Sequence, residues 1–320
     1  MNLIVNEFTL AAVGLLLLLF AGDALVKGAV NLSLRLGVPA LIVSLTIVAF
    51  GTSAPELLIS VQAILDDEPG LAIGNVVGSN TANVLLVLGI PALLAGLSAS
   101  QSDTRKSYII MIAGTVLFIG LAFFGPITWW HGLILLAALA LMLLDSFNDA
   151  RKHMRSDIDE EEPEGADPSI AGWKIAAFLI AGLIGLPLGA KLLVDNAIII
   201  ATDFGVSATV IGLTLVAVGT SMPELATTVM AAFRNKADVA IGNVIGSNVF
   251  NLLAIIGIAS LVGPIPIPSA FLALDLWVML GASLLIAPVV FRRQRMGYRW
   301  GIGLTLAYIA YLYMVLTNGA

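Results

Sequence analysis

Long apolar stretches, separated by short polar connections, make up most of the chain. A stretch of about 18 or more apolar residues is long enough to cross a membrane as an α-helix. We therefore expect an all-α membrane protein, in which Pro and Gly mark several junctions between spans. The pattern predicts ten transmembrane helices, near residues 8–34, 39–65, 71–96, 105–124, 127–147, 171–202, 207–233, 239–262, 270–291 and 298–317.

The composition supports insertion into a lipid bilayer. Apolar residues make up 59% of the chain and charged residues only 11%, whereas about a quarter of a soluble domain is charged. Cysteine is absent, which excludes disulfides and thiolate metal sites. The net charge of −6 argues against nucleic acid binding. We expect a multi-pass protein of the plasma (inner) membrane, and nothing in the sequence indicates a cofactor or a protein partner.

Basic residues are distributed unevenly between the connections, and this predicts the topology. The even-numbered connections carry almost none, and one of them is the acidic segment DDEPG. Positive charge marks the cytoplasmic side of a membrane, so both termini are expected to be extracytoplasmic. The basic residues of the odd-numbered connections are Arg35, Arg105, Lys106, Arg151, Lys152, Arg155, Arg234, Lys236, Arg292, Arg293, Arg295 and Arg299.

The longest polar connection, 148–170, contains the stretch DIDEEEPEGADP with its seven acidic residues. The simplest interpretation is a solvated cytoplasmic linker between two halves, 1–147 and 171–320. A calcium-sensing role is the alternative, but the segment is too short to form a separate regulatory domain.

The two halves contain copies of one unit. Residues 40–90 align with residues 208–258 without a gap and are identical at 25 of 51 positions. GTSAPE aligns with GTSMPE, and AIGNVVGSNTAN aligns with AIGNVIGSNVFN, so the chain is a duplication. Each half contains five predicted spans, and an odd number inverts the second copy. Inverted repeats are typical of secondary transporters, whose substrates bind near the midplane where interrupted helices meet.

GTSxPE places a carboxylate and a helix break in the middle of an apolar run. Charged residues at the bilayer centre are costly and usually functional, which draws attention to Glu56 and Glu224. Proline removes a backbone donor and kinks a helix, and we expect freed carbonyls near Ala49 and Ala217. The hydroxyls that helical spacing places on the same face as each glutamate belong to Thr52, Ser53, Thr220 and Ser221.

The second motif adds a polar face to spans three and eight. Its residues at spacing i, i+4 and i+8 are Asn75, Ser79 and Asn83, and Asn243, Ser247 and Asn251. A lone Asn or Ser in a membrane usually joins helices, and this role also suits Asn75, Asn80, Asn243 and Asn248. The combined set offers only oxygen ligands, which suit calcium or sodium; zinc or copper would recruit nitrogen or sulfur.

Two ion-pair motifs lie in spans one and six. Asp23 and Lys27 stand four residues apart, as do Lys191 and Asp195. Side chains at this spacing are neighbours on a helix, so each pair is expected to neutralise itself and to have a structural role.

Two copies of GTSxPE followed by GNxxGSNxxN resemble the alpha repeats of the cation/calcium exchanger superfamily, in its prokaryotic sodium/calcium exchanger branch. The resemblance implies ten helices, with spans 2, 3, 7 and 8 around the ions and a long tilted pair, 1 and 6, sliding over them. It also implies a set of ion ligands: Glu56, Glu224, Thr52, Ser53, Thr220, Ser221, Ser79, Asn83, Ser247 and Asn251, with the carbonyls of Ala49 and Ala217.

Two positions refine the expected function. Some relatives, including potassium-dependent ones, have Asp where this chain has Asn251, which argues against potassium co-transport. Proton-coupled members typically have Gly-Asn where this chain has Gly-Thr-Ser, which favours sodium. We expect an electrogenic calcium/sodium antiporter, with three sodium ions for each calcium ion, that works by alternating access.

Other functions remain as alternatives. A proton-coupled calcium or cation exchanger is the nearest, and it differs only in the coupling ion. Inverted five-span repeats argue against a channel. An intramembrane protease would need a catalytic Asp pair or a Ser–His pair, and the one His predicted within a span, His131, is expected at an interface. We therefore expect a transporter and not an enzyme.

Overall fold

A computed structural model describes residues 2–97, 104–153, 167, 169–205 and 217–318. Helices dominate these residues, as the apolar pattern predicts, and two isolated β-bridges pair Leu97 with Met296 and Ile127 with Ile265. The helices are α1 (Asn2–Leu36), α2 (Ala40–Thr52), α3 (Ala54–Leu65), α4 (Pro69–Leu94), α5 (Arg105–Ala122), α6 (Trp129–His153), α7 (Gly172–Asp203), α8 (Ala217–Gly219), α9 (Met222–Phe233), α10 (Ala237–Val262), α11 (Phe271–Arg292) and α12 (Tyr298–Asn318).

The described helices confirm a multi-pass membrane protein. Eight of them are long and apolar enough to cross a bilayer, and α2 with α3 makes a ninth if the bent pair is one span. The remaining predicted span, 207–233, is described only from Ala217 onward, and α9 occupies its second half.

Two predicted boundaries differ clearly from the structure: α1 begins at Asn2, six residues before the predicted start at residue 8, and α6 ends later than predicted. Helix α6 continues to His153, six residues into the segment 148–170 that the sequence assigns to the linker. Its last turns contain Asp149, whose carboxylate pairs with Lys106 of α5, and this contact extends the helix beyond the apolar run. The acidic residues 157–164 of the predicted linker lie outside the described residues.

Helices α1 and α7 form a long, closely packed pair. They have 35 and 32 residues, more than the ~20 needed to cross a bilayer perpendicularly. Glycines allow the two backbones to approach: a Cβ on Gly14 would lie 2.6 Å from the Leu193 nitrogen, and one on Gly189 would lie 2.9 Å from the Leu18 nitrogen.

Helices α4 and α10 are the most enclosed of the candidate spans, with 78% and 89% of an 18-residue apolar stretch buried in the protein. They are joined by a reciprocal contact at equivalent positions of the two copies. Asn80 Nδ2 donates to the Asn248 carbonyl at 3.2 Å, and Asn248 Nδ2 donates to the Asn80 carbonyl at 3.3 Å. The predicted helix-joining role of these two asparagines is therefore confirmed.

Candidate cation site

Both GTSxPE motifs interrupt a helix, as predicted. Ser53 separates α2 from α3 with φ −85° and ψ 3°, and Ser221 precedes α9 with φ −87° and ψ 8°. Pro55 and Pro223 lie in the first turn of the following helices, where a missing N–H costs little. In the first copy, the two half-helices meet at a bend of 42°.

The prediction of a free carbonyl at Ala49 is wrong in its detail. This oxygen accepts a hydrogen bond from the Ser53 nitrogen at 3.0 Å, and the Thr52 hydroxyl lies 3.3 Å away. The reason is that the proline follows the break and removes the donor that would reach Gly51, not Ala49. The Thr52 hydroxyl has one proton and can donate it instead to Asn243 Oδ1 at 3.2 Å, which leaves the second lone pair of the Ala49 carbonyl open to a cation. In the second copy, the Ser221 nitrogen donates to Val218 at 3.1 Å instead.

The two glutamates are the chemical centre of the site. Glu56 is 1% exposed and Glu224 is fully buried, each in the first turn of its half-helix. The positive end of a helix dipole favours a carboxylate at this place. Within the described residues, neither glutamate forms an ion pair with Lys, Arg or His, and the Oε2 atom of each has no hydrogen-bond partner. A buried charge without a partner is costly, so both carboxylates need a cation or a proton.

Hydroxyl groups from one copy contact polar groups of the other. The Ser53 hydroxyl donates to Glu224 Oε1 at 3.3 Å, although the two residues are 171 positions apart. The Thr52 hydroxyl lies 3.4 Å from that of Ser247, and the Ser79 hydroxyl lies 3.4 Å from that of Thr220. The structure therefore brings residues of both motifs together between the two copies.

Several polar atoms are buried in the described structure without a hydrogen-bond partner. Most buried polar atoms in proteins are paired, so a group of orphaned oxygens indicates a place for another ligand. Five residues of the predicted set contribute such atoms: Glu56 Oε2, Glu224 Oε2, Asn83 Oδ1, Ser221 Oγ and both side-chain polar atoms of Asn251. Among the described residues, no three or more His, Cys, Asp or Glu side chains are arranged so that they could hold a metal ion, so two carboxylates and neutral oxygens are the available chemistry.

Asn83 and Asn251 lie on irregular helix segments. A π-helical turn spans Asn83–Val87 in α4, and another spans Phe250–Ile255 in α10. Such single wide turns are rare and occur mainly at functional sites, because the extra residue changes the direction of nearby side chains. Asn83 Nδ2 donates to Asn248 Oδ1 at 3.0 Å. Its own Oδ1 therefore remains available at the wide turn.

Two hydroxyl residues that the sequence interpretation missed support the half-helices. Asn75 Nδ2 donates to the Glu56 carbonyl at 3.2 Å and to the Ser60 hydroxyl at 3.0 Å. In the second copy, Asn243 makes the same contacts with Glu224 at 3.4 Å and Thr228 at 3.3 Å. A hydroxyl residue four positions after each glutamate was the available signal. The helix-joining role proposed for both asparagines is confirmed.

A comparison with known families adds to this geometry. The profile of the family described as "Sodium/calcium exchanger protein" matches residues 7–147 and 174–317. The chain belongs to the sodium/calcium exchanger family. Members of this family are transporters and not enzymes, which confirms the expectation from the motifs.

Several curated proteins are similar to this family member over nearly their whole length. A protein named "Putative antiporter CaxA", from Alkalimonas amylolytica, is 34% identical over 96% of this chain and 97% of its own. "Inner membrane protein YrbG" from Escherichia coli is 35% identical over 96% and 95%. "Sodium/calcium exchanger MaX1" from Methanosarcina acetivorans is 32% identical over 97% and 98%.

Solved structures of a related exchanger have a fold similar to that of this chain. A structure of the sodium-calcium exchanger NCX_Mj soaked with Na+ and Sr2+ has a TM-score of 0.82 and 30% identity. It covers 97% of this chain and 99% of the other. The same exchanger soaked with Na+ and Ca2+ gives a TM-score of 0.81, also at 30% identity. The described helices of this exchanger family member therefore adopt an NCX_Mj-like fold.

Proposed function

We propose that this protein is a secondary active antiporter that exchanges sodium for calcium by alternating access. The observation that carries the proposal is the pair of buried glutamates, Glu56 and Glu224, each with an unpartnered carboxylate oxygen near the meeting point of the two copies. Two carboxylates balance the charge of one calcium ion, and neutral oxygens can complete the six to eight ligands that calcium takes.

The proposed ligands extend from the glutamates to both motifs. Hydroxyls and amide oxygens supply uncharged contacts, which sodium accepts as readily as calcium. The backbone carbonyls at the helix breaks complete the set, in agreement with the general use of irregular backbone around transporter ion sites. The full proposed set is Glu56, Glu224, Thr52, Ser53, Thr220, Ser221, Ser79, Asn83, Ser247 and Asn251, with the carbonyls of Ala49 and Ala217.

The charge of the site gives a physical reason for coupled exchange. An empty site would bury two negative charges in a dry protein core, which costs several kcal/mol per ion. A calcium ion, or several sodium ions, removes that cost. Only the ion-loaded protein should therefore switch readily between a site open to one side of the membrane and a site open to the other. A protein with this property exchanges ions and does not leak them.

Sodium is the coupling ion that the relatives favour. MaX1 is named a sodium/calcium exchanger, and NCX_Mj is described as a sodium-calcium exchanger. A proton-coupled exchanger remains the second candidate, because buried carboxylates can also carry protons. A relative from Bacillus subtilis named "Ca(2+)/H(+) antiporter ChaA" is 26% identical over 74% of this chain.

We further propose that exchange is electrogenic, with three sodium ions for each calcium ion. The two glutamates alone would balance two sodium ions, and the neutral oxygens around them provide ligands for a third. One net charge would then move in each cycle, which corresponds to roughly 2.3 kcal/mol per 100 mV if it crosses the whole field. An inside-negative potential should therefore assist calcium export.

The proposed architecture has ten spans in two inverted halves, 1–147 and 171–320, joined by the cytoplasmic linker 148–170. The family profile matches in two segments with nearly the same limits, which supports this division. Equivalent contacts on the two sides, such as those of Asn75 and Asn243 with the glutamate carbonyls, also support it.

Cysteine labelling tests the proposed topology, in which both termini are extracytoplasmic. The chain has no cysteine of its own. A cysteine in place of Ser156, which lies outside the described residues, should react with an impermeant thiol reagent only from the cytoplasmic side. Labelling of this site in intact cells would overturn the topology.

Ion flux in proteoliposomes tests the proposed function. Calcium uptake should require an outward sodium gradient, should not change when potassium is added, and should respond to a membrane potential set by valinomycin. Calcium uptake driven by a pH gradient in sodium-free medium would instead support the proton-coupled candidate. A rate that is indifferent to voltage would favour exchange of two sodium ions for one calcium ion.

A further inference from the structure

The ion pair of Asp23 joins two helices that the sequence did not predict to be linked. Asp23 contacts Lys27 within α1 at 3.1 Å, as the spacing predicts. It also accepts a hydrogen bond from Arg234, which follows the last residue of α9. This second contact ties the long helix α1 to the half-helix that begins beside Glu224.

The duplication relates these residues to a second, oppositely charged set. The alignment that matches 40–90 with 208–258 places Asp66 opposite Arg234, and the same offset, continued towards the N-terminus, places Asp23 opposite Lys191. In one set, the acid Asp23 lies on the long helix and the base Arg234 follows the half-helix. In the other set the charges are exchanged: the base Lys191 lies on the long helix and the acid Asp66 follows the half-helix.

Backbone geometry supports this correspondence. Asp66 and Arg234 both follow a half-helix, with φ and ψ of −86° and 7° for Asp66 and −89° and 6° for Arg234. The next residues, Asp67 and Asn235, both have positive φ, at 61° and 56°. The two ends therefore have the same local backbone conformation, and Asp66 and Arg234 occupy equivalent positions along it.

The two equivalent ion pairs are not formed together in this structure. Lys191 pairs within α7 with Asp195 at 2.8 Å, and 75% of its side chain is exposed. Asp66 is exposed and accepts a hydrogen bond from Gln62 at 2.8 Å. Both residues are described, and no ion pair joins them.

The two half-helices α9 and α3 also differ in how closely a long helix packs against them. Helix α1 packs along α9, so that a Cβ on Gly22 would lie 3.0 Å from the Ala226 carbonyl. Helix α7 makes no comparable contact with α3. Accordingly, Ala226 is 7% exposed, whereas Leu58, its equivalent on α3, is 71% exposed. The long helix pair covers one half-helix and leaves the equivalent half-helix uncovered.

We propose that Asp23–Arg234 and Lys191–Asp66 are alternative ion pairs, each of which holds one side of the transporter closed. Movement of the α1–α7 pair across the site would break the first contact and bring Lys191 to Asp66. The four residues are then positioning residues for exchange, since they act through the helices and do not touch the ions. This inference rests on the proposed alternating access.

The partners within each long helix suit such a switch. Asp23 keeps Lys27 when Arg234 departs, and Lys191 has Asp195 before Asp66 arrives. Neither long helix must therefore carry an isolated charge while it moves through the apolar region, where an unpaired charge is costly. This explains why each helix contains an i, i+4 pair and not a single charge.

Cross-linking tests the alternative pairs without measuring transport. Cysteines in place of Leu58 and Ala190 would be the only thiols, and these positions are the equivalents of Ala226 and Gly22. We expect a low yield of disulfide in the otherwise native protein. Arg234→Ala should raise the yield about threefold to fivefold, as expected for loss of a partly exposed ion pair. Adding Asp66→Ala should return the yield towards its native value.

A matched control is available in another ion pair between helices. Lys106 of α5 pairs with Asp145 of α6 at 2.6 Å, and Lys106→Ala should not change the yield. An unchanged yield in Arg234→Ala, or a rise that Asp66→Ala does not reverse, would overturn the inference. If the native protein shows no sodium-driven calcium flux although the cross-linking yields change as predicted, the proposed function would be refuted and the inference about the ion pairs would not.

Discussion

The two GTSxPE copies are nearly identical in sequence and have different surroundings in the structure. Ser53 donates to Glu224 across the site, whereas the equivalent Ser221 hydroxyl has no hydrogen-bond partner. Asn83 is held by Asn248, whereas both polar side-chain atoms of Asn251 are unpartnered. An inverted repeat that faces one side of a membrane must break its own symmetry. Under the proposed inverted-repeat architecture, the difference belongs to one conformational state of a single site and not to two different sites.

The largest effect is expected from substitution of the buried glutamate that each of the two copies contains. Glu56→Gln and Glu224→Gln each keep the size of the side chain and remove one of the two charges that would compensate calcium in the proposed site. Loss of one partner from a buried ion pair costs about 3–5 kcal/mol, so calcium affinity should fall at least about a hundredfold. Calcium flux in proteoliposomes measures the effect.

Glu68→Gln provides the matched control for these variants, because Glu68 is exposed in the connection after α3. It should exchange calcium at the native rate. Native exchange by either buried-glutamate variant, with the protein still folded, would remove that glutamate from the site.

An intermediate effect is expected at the asparagines of the wide turns. Asn251→Asp adds a third acidic group at a residue whose amide has no protein partner, and it should change the preference between ions or the pH dependence of exchange while leaving the fold intact. Asn83→Asp should also lower thermal stability, because Asn83 Nδ2 is the donor to Asn248. Ion selectivity and thermal unfolding separate the two effects. Unchanged transport by Asn251→Asp would place Asn251 outside the site.

The smallest effect tests the asymmetry itself. Ser53→Ala removes a hydrogen bond to Glu224, and such a bond contributes about 0.5–1.5 kcal/mol. Ser221→Ala removes a buried hydroxyl without a partner, which should not destabilise the protein. In ion-free buffer, Ser53→Ala should therefore lower the unfolding temperature by a few degrees, and Ser221→Ala should not. Equal shifts would show that the difference between the copies is not present in solution.

Much of the fold follows from the apolar pattern. The limits of most spans lie within a few residues of the helices observed, and Pro55 and Pro223 mark both breaks. The pattern misses the end of α6, because a polar pair with α5 and not apolar burial stabilises its last turns. It also does not predict the wide turns at Asn83 and Phe250, because the apolar run of each helix continues through the turn.

The sequence indicates candidate residues for the site, but it does not indicate the contacts between them. The two glutamates are recognisable because a charge in an apolar run is rare, and repetition makes the signal stronger. The hydrogen bonding of the Ala49 carbonyl was misjudged, because a proline identifies a missing donor but not how the remaining backbone is paired. The contact of Asp23 with Arg234 joins distant parts of the chain, and no local spacing indicates it.

Equilibrium binding of calcium to the purified protein tests the central claim most directly. If Glu56 and Glu224 form one shared cation site, the native protein should bind one calcium ion, and sodium should displace it. The variant with both glutamates replaced by Gln should bind none. Calcium binding that persists in the double variant, or that sodium does not displace, would contradict the account.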